Sequence, residues 1–269
     1  MDSEFHLREV TTSLDAARPR VKPPPQSSAI SAPFSYSPSD DGTDENLLIL
    51  LHGLGDTHLP FSKLGRSFKL PQTATLALRA PKQIPYLYEQ SFQWYPSFDA
   101  LGDILAHPNP TMAIDYMMKL FDHLVNDCGW SAPRIHLFGF AQGGTVAAES
   151  ALRWWQYGVQ RQQKDGSPSA QPLGSVVTVG GPLLSYPTLP VVCTTPILVF
   201  HRPPPSEPHL SGDAFTAFRK GFSRVIDVKK SGQGMPRSKD EWYPIMELWS
   251  EQLERRQVEG IYEVTTEAT

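Results

Sequence analysis

The chain has 269 residues, of which 40% are hydrophobic, and this length accommodates one large α/β domain together with a tail. Its formal net charge of −4 gives no electrostatic reason to expect nucleic acid or an anionic membrane as a partner. No apolar run approaches the roughly 18 residues of a membrane-spanning helix, and the first 20 residues lack the apolar stretch of a signal peptide.

The cysteine usage predicts reduced, buried thiols. Cys128 and Cys193 have neither a CxxC spacing nor the spacing of a metal site, and no grouping of His, Cys, Asp and Glu in the sequence suits a metal ion. No glycine pattern typical of nucleotide binding occurs. We therefore expect no cofactor and a cytoplasmic location, with the nucleus as a second compartment.

The ends of the chain are predicted to lie outside a single domain. Residues 1–31 contain few large apolar side chains and several prolines and serines, a composition that indicates a disordered tail. Residues 32–260 are predicted to form one α/β domain, and residues 261–269 a C-terminal tail. At the start of the domain, Phe34–Ser37 is predicted to be an edge strand.

The first long apolar run leads into a glycine-containing loop. Asn46-Leu-Leu-Ile-Leu-Leu51 is typical of a strand that is buried on both faces of a parallel sheet. It runs into His52-Gly-Leu-Gly-Asp-Thr57, and a loop of this kind can aim a backbone N–H at a negatively charged oxygen.

The next predicted elements are a short helix at Phe61–Phe68, a strand at Thr73–Leu78 and an amphipathic helix at Pro110–Cys128 that ends at Gly129. Residues 82–108 carry a set of aromatic side chains, which comprises Tyr86, Tyr88, Phe92, Trp94, Tyr95 and Phe98. These rings either cover the sheet edge, which is the interpretation we favour, or form an aromatic wall for a lipid-like ligand.

The stretch from His136 to Thr145 is typical of a buried strand that turns sharply over glycines into a helix. The strand is predicted from Ile135 and the helix runs on to Trp155. Gly139-Phe-Ala-Gln-Gly143 has the frame of the G-x-S-x-G nucleophile elbow, in which a strained turn lifts one side chain above the sheet edge. That side chain is Ala141, and a methyl group cannot attack a carbonyl.

The rest of the chain continues the alternation of strands and helices. A polar surface insertion is predicted at residues 156–171. After it, the pattern predicts strands at Gly174–Gly180, Thr195–Phe200 and Arg224–Lys229 and helices at Asp213–Phe222 and Glu241–Val258. Such alternation predicts the α/β class, with a doubly wound, mostly parallel sheet and helices on both faces.

On these residues the chain resembles the phospholipase/carboxylesterase family of α/β-hydrolases, which includes the acyl-protein thioesterases. The loop that begins at His52 matches the family's HGLGD motif, and Gly139-Phe-Ala-Gln-Gly-Gly144 matches its GFSQGG elbow with one exchange. The resemblance covers roughly residues 45–255 and implies the α/β-hydrolase fold. It also implies an oxyanion hole built from the backbone amides of Leu54 and Gln142, supported by Gly53, Gly55 and Gly143.

The same resemblance implies that all three catalytic positions are changed. The family's acid lies in an H-G-x-x-D loop, where this chain continues from His201 to Pro205. Its base follows a glycine before the last helix, where this chain offers Arg237 after Gly234. A serine nucleophile needs a neutral imidazole, and the imidazole needs a carboxylate. With Ala141, Pro205 and Arg237 at these positions, the resemblance implies a degenerate triad.

The other histidines offer no evident replacement base. His52 belongs to the family's loop, where it is structural, and His136 begins the elbow strand with its side chain directed away from the site. His201 is expected to orient the loop that follows it. His209 and Asp213 could form a displaced pair, although they would have no nucleophile to activate at Ala141.

Two functions of different classes remain open. The first is a catalytically inactive or impaired pseudohydrolase that binds a protein partner or an acyl-type small ligand. The second is an active serine-type carboxylesterase or acyl-protein thioesterase, either with unrecognised catalytic residues or with Ala141 introduced in place of a serine. No nucleic-acid partner is expected, and the oligomeric state is left open.

Overall fold

The protein is described from a computed structural model, which covers residues 5–8, 20–84, 90–99, 101–166, 169–205, 210–256 and 263–266. The strands in these residues are β1 Phe5–Arg8, β2 Phe34–Ser37, β3 Asn46–Leu51, β4 Thr73–Leu78, β5 Lys82–Gln83, β6 Phe92–Gln93, β7 Ile135–Phe140, β8 Ser175–Val179, β9 Ile197–His201, β10 Val225–Lys229 and β11 Glu263–Thr266. The α-helices are α1 His58–Ser67, α2 Thr111–Asn126, α3 Gln142–Asp165, α4 Gly212–Gly221 and α5 Lys239–Gln252.

A seven-stranded sheet organises the domain, in the order β10-β9-β8-β7-β3-β4-β2. Every neighbouring pair in it is parallel except β2 with β4, which is antiparallel at the sheet edge. The predicted edge strand and the predicted mostly parallel sheet are therefore confirmed. Because β3 and β7 lie in the middle of the sheet, the loops that follow them meet at its central carboxyl edge.

The sheet is covered on both faces, as the doubly wound prediction requires. One apolar cluster contains side chains of α2, α3 and α4, and the other contains side chains of α1 and α5. Strand β3 shows why residues 47–51 are all apolar. Leu47, Ile49 and Leu51 face the first cluster, whereas Leu48 and Leu50 face the second, because successive side chains of a strand point to opposite faces.

Two helices differ most from the predicted bounds, while the other three differ by one to three residues at each end. The helix after the elbow continues to Asp165 instead of ending at Trp155, so most of the predicted surface insertion is helical. Its Gln, Arg and Lys side chains are good helix formers and remain solvated on the outer face. The last helix begins at Lys239, where Ser238 Oγ accepts a hydrogen bond from the Glu241 N–H at 3.3 Å, and it ends at Gln252, before the predicted Val258.

Parts of the predicted tails lie among the described residues. Strand β1 pairs antiparallel with β11, outside the main sheet. Residues 20–31 lie against the domain, with Ile30 only 3% exposed and the Gln26 N–H donating to His123 Nε2 at 3.1 Å. The division into tails and one domain stays a prediction. Within the described residues, no helix combines the length and the apolar character that crossing a lipid bilayer requires.

Candidate functional site

The turn between β7 and α3 has the strained backbone of an elbow. Ala141 has φ 49° and ψ −116°, a conformation that favours glycine over residues with a side chain. Its N–H donates to the Val179 carbonyl at 2.8 Å, and its carbonyl accepts from the Thr145 N–H at 3.1 Å. These two bonds fix the turn to β8 and to the first turn of α3. The methyl group of Ala141 is thereby held at the carboxyl edge of the sheet.

Two glycines of the elbow stand where backbones meet directly. A Cβ on Gly139 would lie 2.5 Å from the Gly144 nitrogen, and a Cβ on Gly143 would lie 2.5 Å from the His52 carbonyl oxygen. Real Cβ atoms essentially never come within 3.0 Å of another heavy atom in this way. The start of α3 therefore packs on the ends of β3 and β7 with no space for a side chain.

The loop after β3 is fixed by the ring of His52. This ring is buried, and its Nδ1–H donates to the Gly53 carbonyl at 2.7 Å, while its Nε2 accepts from the Ala80 N–H at 2.9 Å. Burial lowers the pKa of His52, so the ring is neutral at pH 7. His52 is a structural residue in this arrangement, as expected.

The loop also approaches the elbow. A Cβ on Gly53 would lie 2.8 Å from the Phe140 ring, and Gly55, with φ 83°, donates its N–H to the Phe92 carbonyl at 2.9 Å. In the part of the chain that the structure describes, neither the Leu54 N–H nor the Gln142 N–H is hydrogen-bonded. These are the two backbone amides of the predicted oxyanion hole. Their assignment to that role stays a prediction.

The Gln142 side chain has a role that the sequence reasoning missed. Its Oε1 accepts from the Trp94 N–H at 2.9 Å, and its Nε2 donates to the Tyr95 carbonyl at 2.9 Å and to Ser97 Oγ at 2.7 Å. Trp94 Nε1 in turn donates to the His52 carbonyl at 2.8 Å. The aromatic segment is therefore attached to both the elbow and the loop after β3.

The aromatic segment is largely packed rather than open. Phe92, Trp94 and Tyr95 are buried, whereas Phe98 is 47% exposed. Phe92, Trp94 and Tyr95 belong to the apolar cluster of α2, α3 and α4, which supports the interpretation that they cover the sheet. Tyr86 and Tyr88 lie outside the described residues.

The predicted acid and base positions lie on two neighbouring loops. Pro205 is exposed in the loop after β9, and Arg237 is exposed in the loop before α5. The Arg237 backbone N–H donates to Glu241 Oε2 at 2.7 Å. His201 Nε2 contacts Asp227 Oδ1 of β10 at 2.9 Å and its ring packs on Phe215, and its expected role in orienting the loop that follows stays a prediction. His209 lies outside the described residues.

Arg202 connects these two loops and was not identified from the sequence. Its guanidinium, 3% exposed, donates to the carbonyl of Ser231, to the carbonyl of Met235 at 3.1 Å and to Glu241 Oε1 at 2.5 Å. It also lies over the Phe200 ring. The crevice that these side chains line with Phe140 and Gly234 is too small for a water molecule. The sequence feature that could have identified Arg202 is a charged residue directly after a fully buried strand.

Hydrogen bonding to Arg202 holds the pKa of the Glu241 carboxyl at about 2, well below its ordinary value of 4.5, and the Arg237 N–H lowers it further while burial opposes the shift. The carboxylate is therefore charged at all but strongly acidic pH. It joins the loop before α5 to the end of β9.

Among the described residues, two histidines contact a side chain with a nucleophilic atom, and neither lies at the elbow. His136 Nδ1 contacts Ser175 Oγ at 2.9 Å at the opposite edge of the sheet, where burial lowers the pKa of this histidine to about 3. His123 contacts Cys128 at the end of α2. No group of three or more potential metal ligands occurs in the described ranges.

A family model described as phospholipase/carboxylesterase matches residues 37–202. The chain belongs to this family of hydrolases. It is 38% identical over 228 residues to the uncharacterized hydrolase UM10204 of Mycosarcoma maydis, and this alignment covers 83% of this chain and 82% of that protein. It is 27% identical to the uncharacterized hydrolase C9G1.08c of Schizosaccharomyces pombe, with 79% of this chain and 86% of that protein covered.

Solved structures of other proteins share the fold. Esterase PE8 superposes with a TM-score of 0.64 at 20% identity, covering 82% of this chain and 98% of that one. Zea mays acyl-protein thioesterase 2 superposes with a TM-score of 0.59 at 21% identity, covering 83% and 100%. The α/β-hydrolase fold that the resemblance implied is thus confirmed. The roles of Ala141, Pro205 and Arg237 in this family member stay predictions.

We expect Gly143→Ala to lower the free energy of unfolding by about 3 kcal/mol, because its Cβ would overlap the backbone at the end of β3. Gly212→Ala is the matched control, since a Cβ there meets nothing within 4 Å. Urea unfolding of both variants measures the difference. A Gly143→Ala variant as stable as the wild type would contradict the close backbone packing.

We expect Glu241→Gln to lower the free energy of unfolding by about 2 kcal/mol at pH 7, because it removes a charge-assisted hydrogen bond from Arg202. The folded-state pKa is lowered, so this stabilisation is present above pH 4.5 and is lost as the pH falls from 4.5 towards 2. Urea unfolding across this range should show the two proteins converge.

The control is Glu247→Gln on the exposed side of the same helix, which should change stability little at any pH. A Glu241→Gln effect that did not depend on pH would argue against the ion pair.

Proposed function

We propose that this member of the phospholipase/carboxylesterase family is a pseudohydrolase, which uses the hydrolase framework to bind a ligand or partner without turning it over. The observation that carries the proposal is Ala141, whose methyl group stands at the tip of the strained elbow. In an elbow of this kind the tip residue supplies the nucleophilic oxygen. Here the tip has no oxygen to supply.

The residues at the predicted acid and base positions support the same conclusion. A guanidinium such as that of Arg237 stays protonated at any useful pH and cannot accept a proton from a nucleophile. Pro205 has no carboxylate to orient an imidazole. In addition, Arg202 fills the space between the two loops and is itself bonded to Glu241. Loss of a whole triad lowers turnover on the order of 10⁶-fold.

The retained parts favour binding of an acyl group. The unbonded N–H groups of Leu54 and Gln142 can donate to the carbonyl oxygen of an ester or thioester, or to a carboxylate. Exposed apolar side chains occur in the loop after β3 and in the segment bonded to Gln142. Leu54 is 37% exposed, and the segment that Gln142 holds continues into Phe98, Leu101 and Ile104, of which Leu101 is 88% exposed. A ligand with a long acyl chain, or an acylated protein, matches this combination.

The competing function is a working carboxylesterase or thioesterase. It is favoured by the name of the M. maydis relative, an uncharacterized hydrolase, and by the intact elbow backbone. It requires a nucleophile other than residue 141, or a serine originally at that position.

We expect the purified wild-type protein to hydrolyse p-nitrophenyl acetate and a palmitoyl thioester no faster than the heat-denatured protein, because Ala141 offers no nucleophile. A serine-directed fluorophosphonate probe should give no covalent adduct on the intact protein by mass spectrometry. An active acyl-protein thioesterase serves as the positive control for both assays. Turnover, or an adduct on any serine, would support the competing enzyme.

We expect Ala141→Ser alone to remain inactive, because a serine without a base and a carboxylate is a poor nucleophile. Fluorophosphonate labelling of the Ala141→Ser variant should proceed at less than about 10⁻³ of the rate of the active thioesterase. Thr145→Ser, which adds no hydroxyl at the tip, is the matched control. Rapid labelling specific to position 141 would mean that a base does face the elbow.

A further inference from the structure

A second cluster of reactive side chains lies at the end of α2, at the opposite edge of the sheet. Asp127 Oδ2 contacts His123 Nδ1 at 2.6 Å, and His123 Nε2 contacts Cys128 Sγ at 3.6 Å. Cys128 precedes β7 whereas Ala141 follows it, so the cluster lies about 20 Å from the elbow, the length of a six-residue strand. The three residues form a cysteine, histidine and carboxylate in series, independent of the elbow.

The hydrogen bonds of His123 define its tautomer. The Asp127 carboxylate can only accept, so the ring donates from Nδ1 and presents a lone pair at Nε2. That lone pair accepts the Gln26 N–H at 3.1 Å and also faces the Cys128 thiol. Since N–H is a stronger donor than S–H, the Gln26 backbone occupies the position to which the thiol proton would move.

Gln26 belongs to a thinly attached segment, residues 22–30, which we call the N-terminal strap. Lys22 holds its start, with its N–H donating to Asp44 Oδ2 at 2.9 Å and its Nζ donating to the Gly129 carbonyl at 2.6 Å. Ile30, 3% exposed, anchors its end. Between these anchors only Pro25 is buried. A segment with so few buried contacts opens at low free-energy cost compared with the core.

We propose that Cys128 is a modification site for small soft electrophiles, closed by the N-terminal strap and opened when the strap lifts. Lifting the strap withdraws the Gln26 N–H, which uncovers the thiol and frees His123 Nε2 as its base. Asp127 then holds the imidazole in the required tautomer, the arrangement that activates cysteine nucleophiles in general.

The covered state is unreactive for a separate reason. Burial, with a further contribution from the Asp127 charge, raises the pKa of the Cys128 thiol, so the thiol stays protonated beneath the strap.

The chemical step is an alkylation that balances without a further reactant. With iodoacetamide as the probe, the thiol proton passes to His123 Nε2 while Sγ attacks the carbon that carries iodine. The C–S bond forms, the C–I bond breaks, and iodide leaves with the bonding electrons. His123 then gives its proton to water. Cys193, which is fully buried and has no histidine contact among the described residues, is the internal reference.

The first experiment measures alkylation rates of both cysteines in the native full-length protein by peptide mass spectrometry. Ile30→Ala removes the apolar anchor of the strap, and Val159→Ala is the matched control, a buried aliphatic truncation in α3. We expect Ile30→Ala to raise the alkylation rate of Cys128 about tenfold and to leave that of Cys193 unchanged, because local opening of the strap exposes Cys128 alone. Lys22→Ala replaces Ile30→Ala if the latter does not fold.

A parallel rise at Cys193, or an equal rise at Cys128 in Val159→Ala, would show that global unfolding exposes the thiol and would overturn the proposal. An unchanged Cys128 rate in the folded strap variant would overturn it as well.

The second experiment tests His123 as the base in the Ile30→Ala background. His123→Gln should lower the Cys128 rate about tenfold at pH 7, and the difference should vanish above about pH 9, where the thiolate forms without a base. A purely structural histidine predicts the opposite, a rate that rises when His123 is replaced because the end of α2 loosens. That result, or a rate equal to that of Ile30→Ala at pH 7, would overturn the proposal.

Discussion

The site depends on the contact between backbones where β7 turns into α3. Gly139 meets the Gly144 nitrogen, and Gly143 meets the His52 carbonyl, with no space for a side chain at either position. These contacts set the direction of α3 and force Ala141 into a conformation that side-chain-bearing residues rarely adopt. The steric constraint acts on the backbone alone. It therefore operates whether the residue at the tip carries an oxygen or a methyl group.

Polar side chains then fix the surrounding loops to this frame. Buried polar groups need partners, so His52 and Gln142, each buried, are bonded on every available side. Together they hold the loop after β3 and the aromatic segment in place. Both residues belong to motifs that are usually associated with catalysis. In this molecule their side chains build the frame, whereas the backbone amides beside them stay unbonded.

Arg202 and Glu241 likewise hold loops in place at the carboxyl end of β9. A buried guanidinium is costly unless its donors are satisfied, and here several carbonyls and one carboxylate surround it. Those bonds fix the loop at residues 231–237 against the end of β9. The fold of a hydrolase and the chemistry at its carboxyl edge are thus separate matters, since the first depends on backbone packing and the second on a few side chains.

The sequence by itself determined the elements and the elbow. Asn46–Leu51 and Thr73–Leu78 are strands with the predicted bounds, because short runs rich in apolar residues are recognisable from the local sequence. The glycine spacing likewise predicted the sharp turn at Ala141, since its cause is steric and lies within a few residues. The end of α3 was misjudged, because a polar helix surface and a polar loop look alike in composition.

Only the tertiary structure decided the partners of the buried polar side chains. Arg202 meets Glu241 39 residues away, Gln142 meets Trp94 48 residues away, and His123 meets Gln26 97 residues away. No local pattern specifies such pairs, since each depends on how helices and loops from distant parts of the chain pack together. His123, Asp127 and Cys128 are close together along the end of α2, but that the Gln26 N–H bonds to His123 depends on how a distant segment packs there.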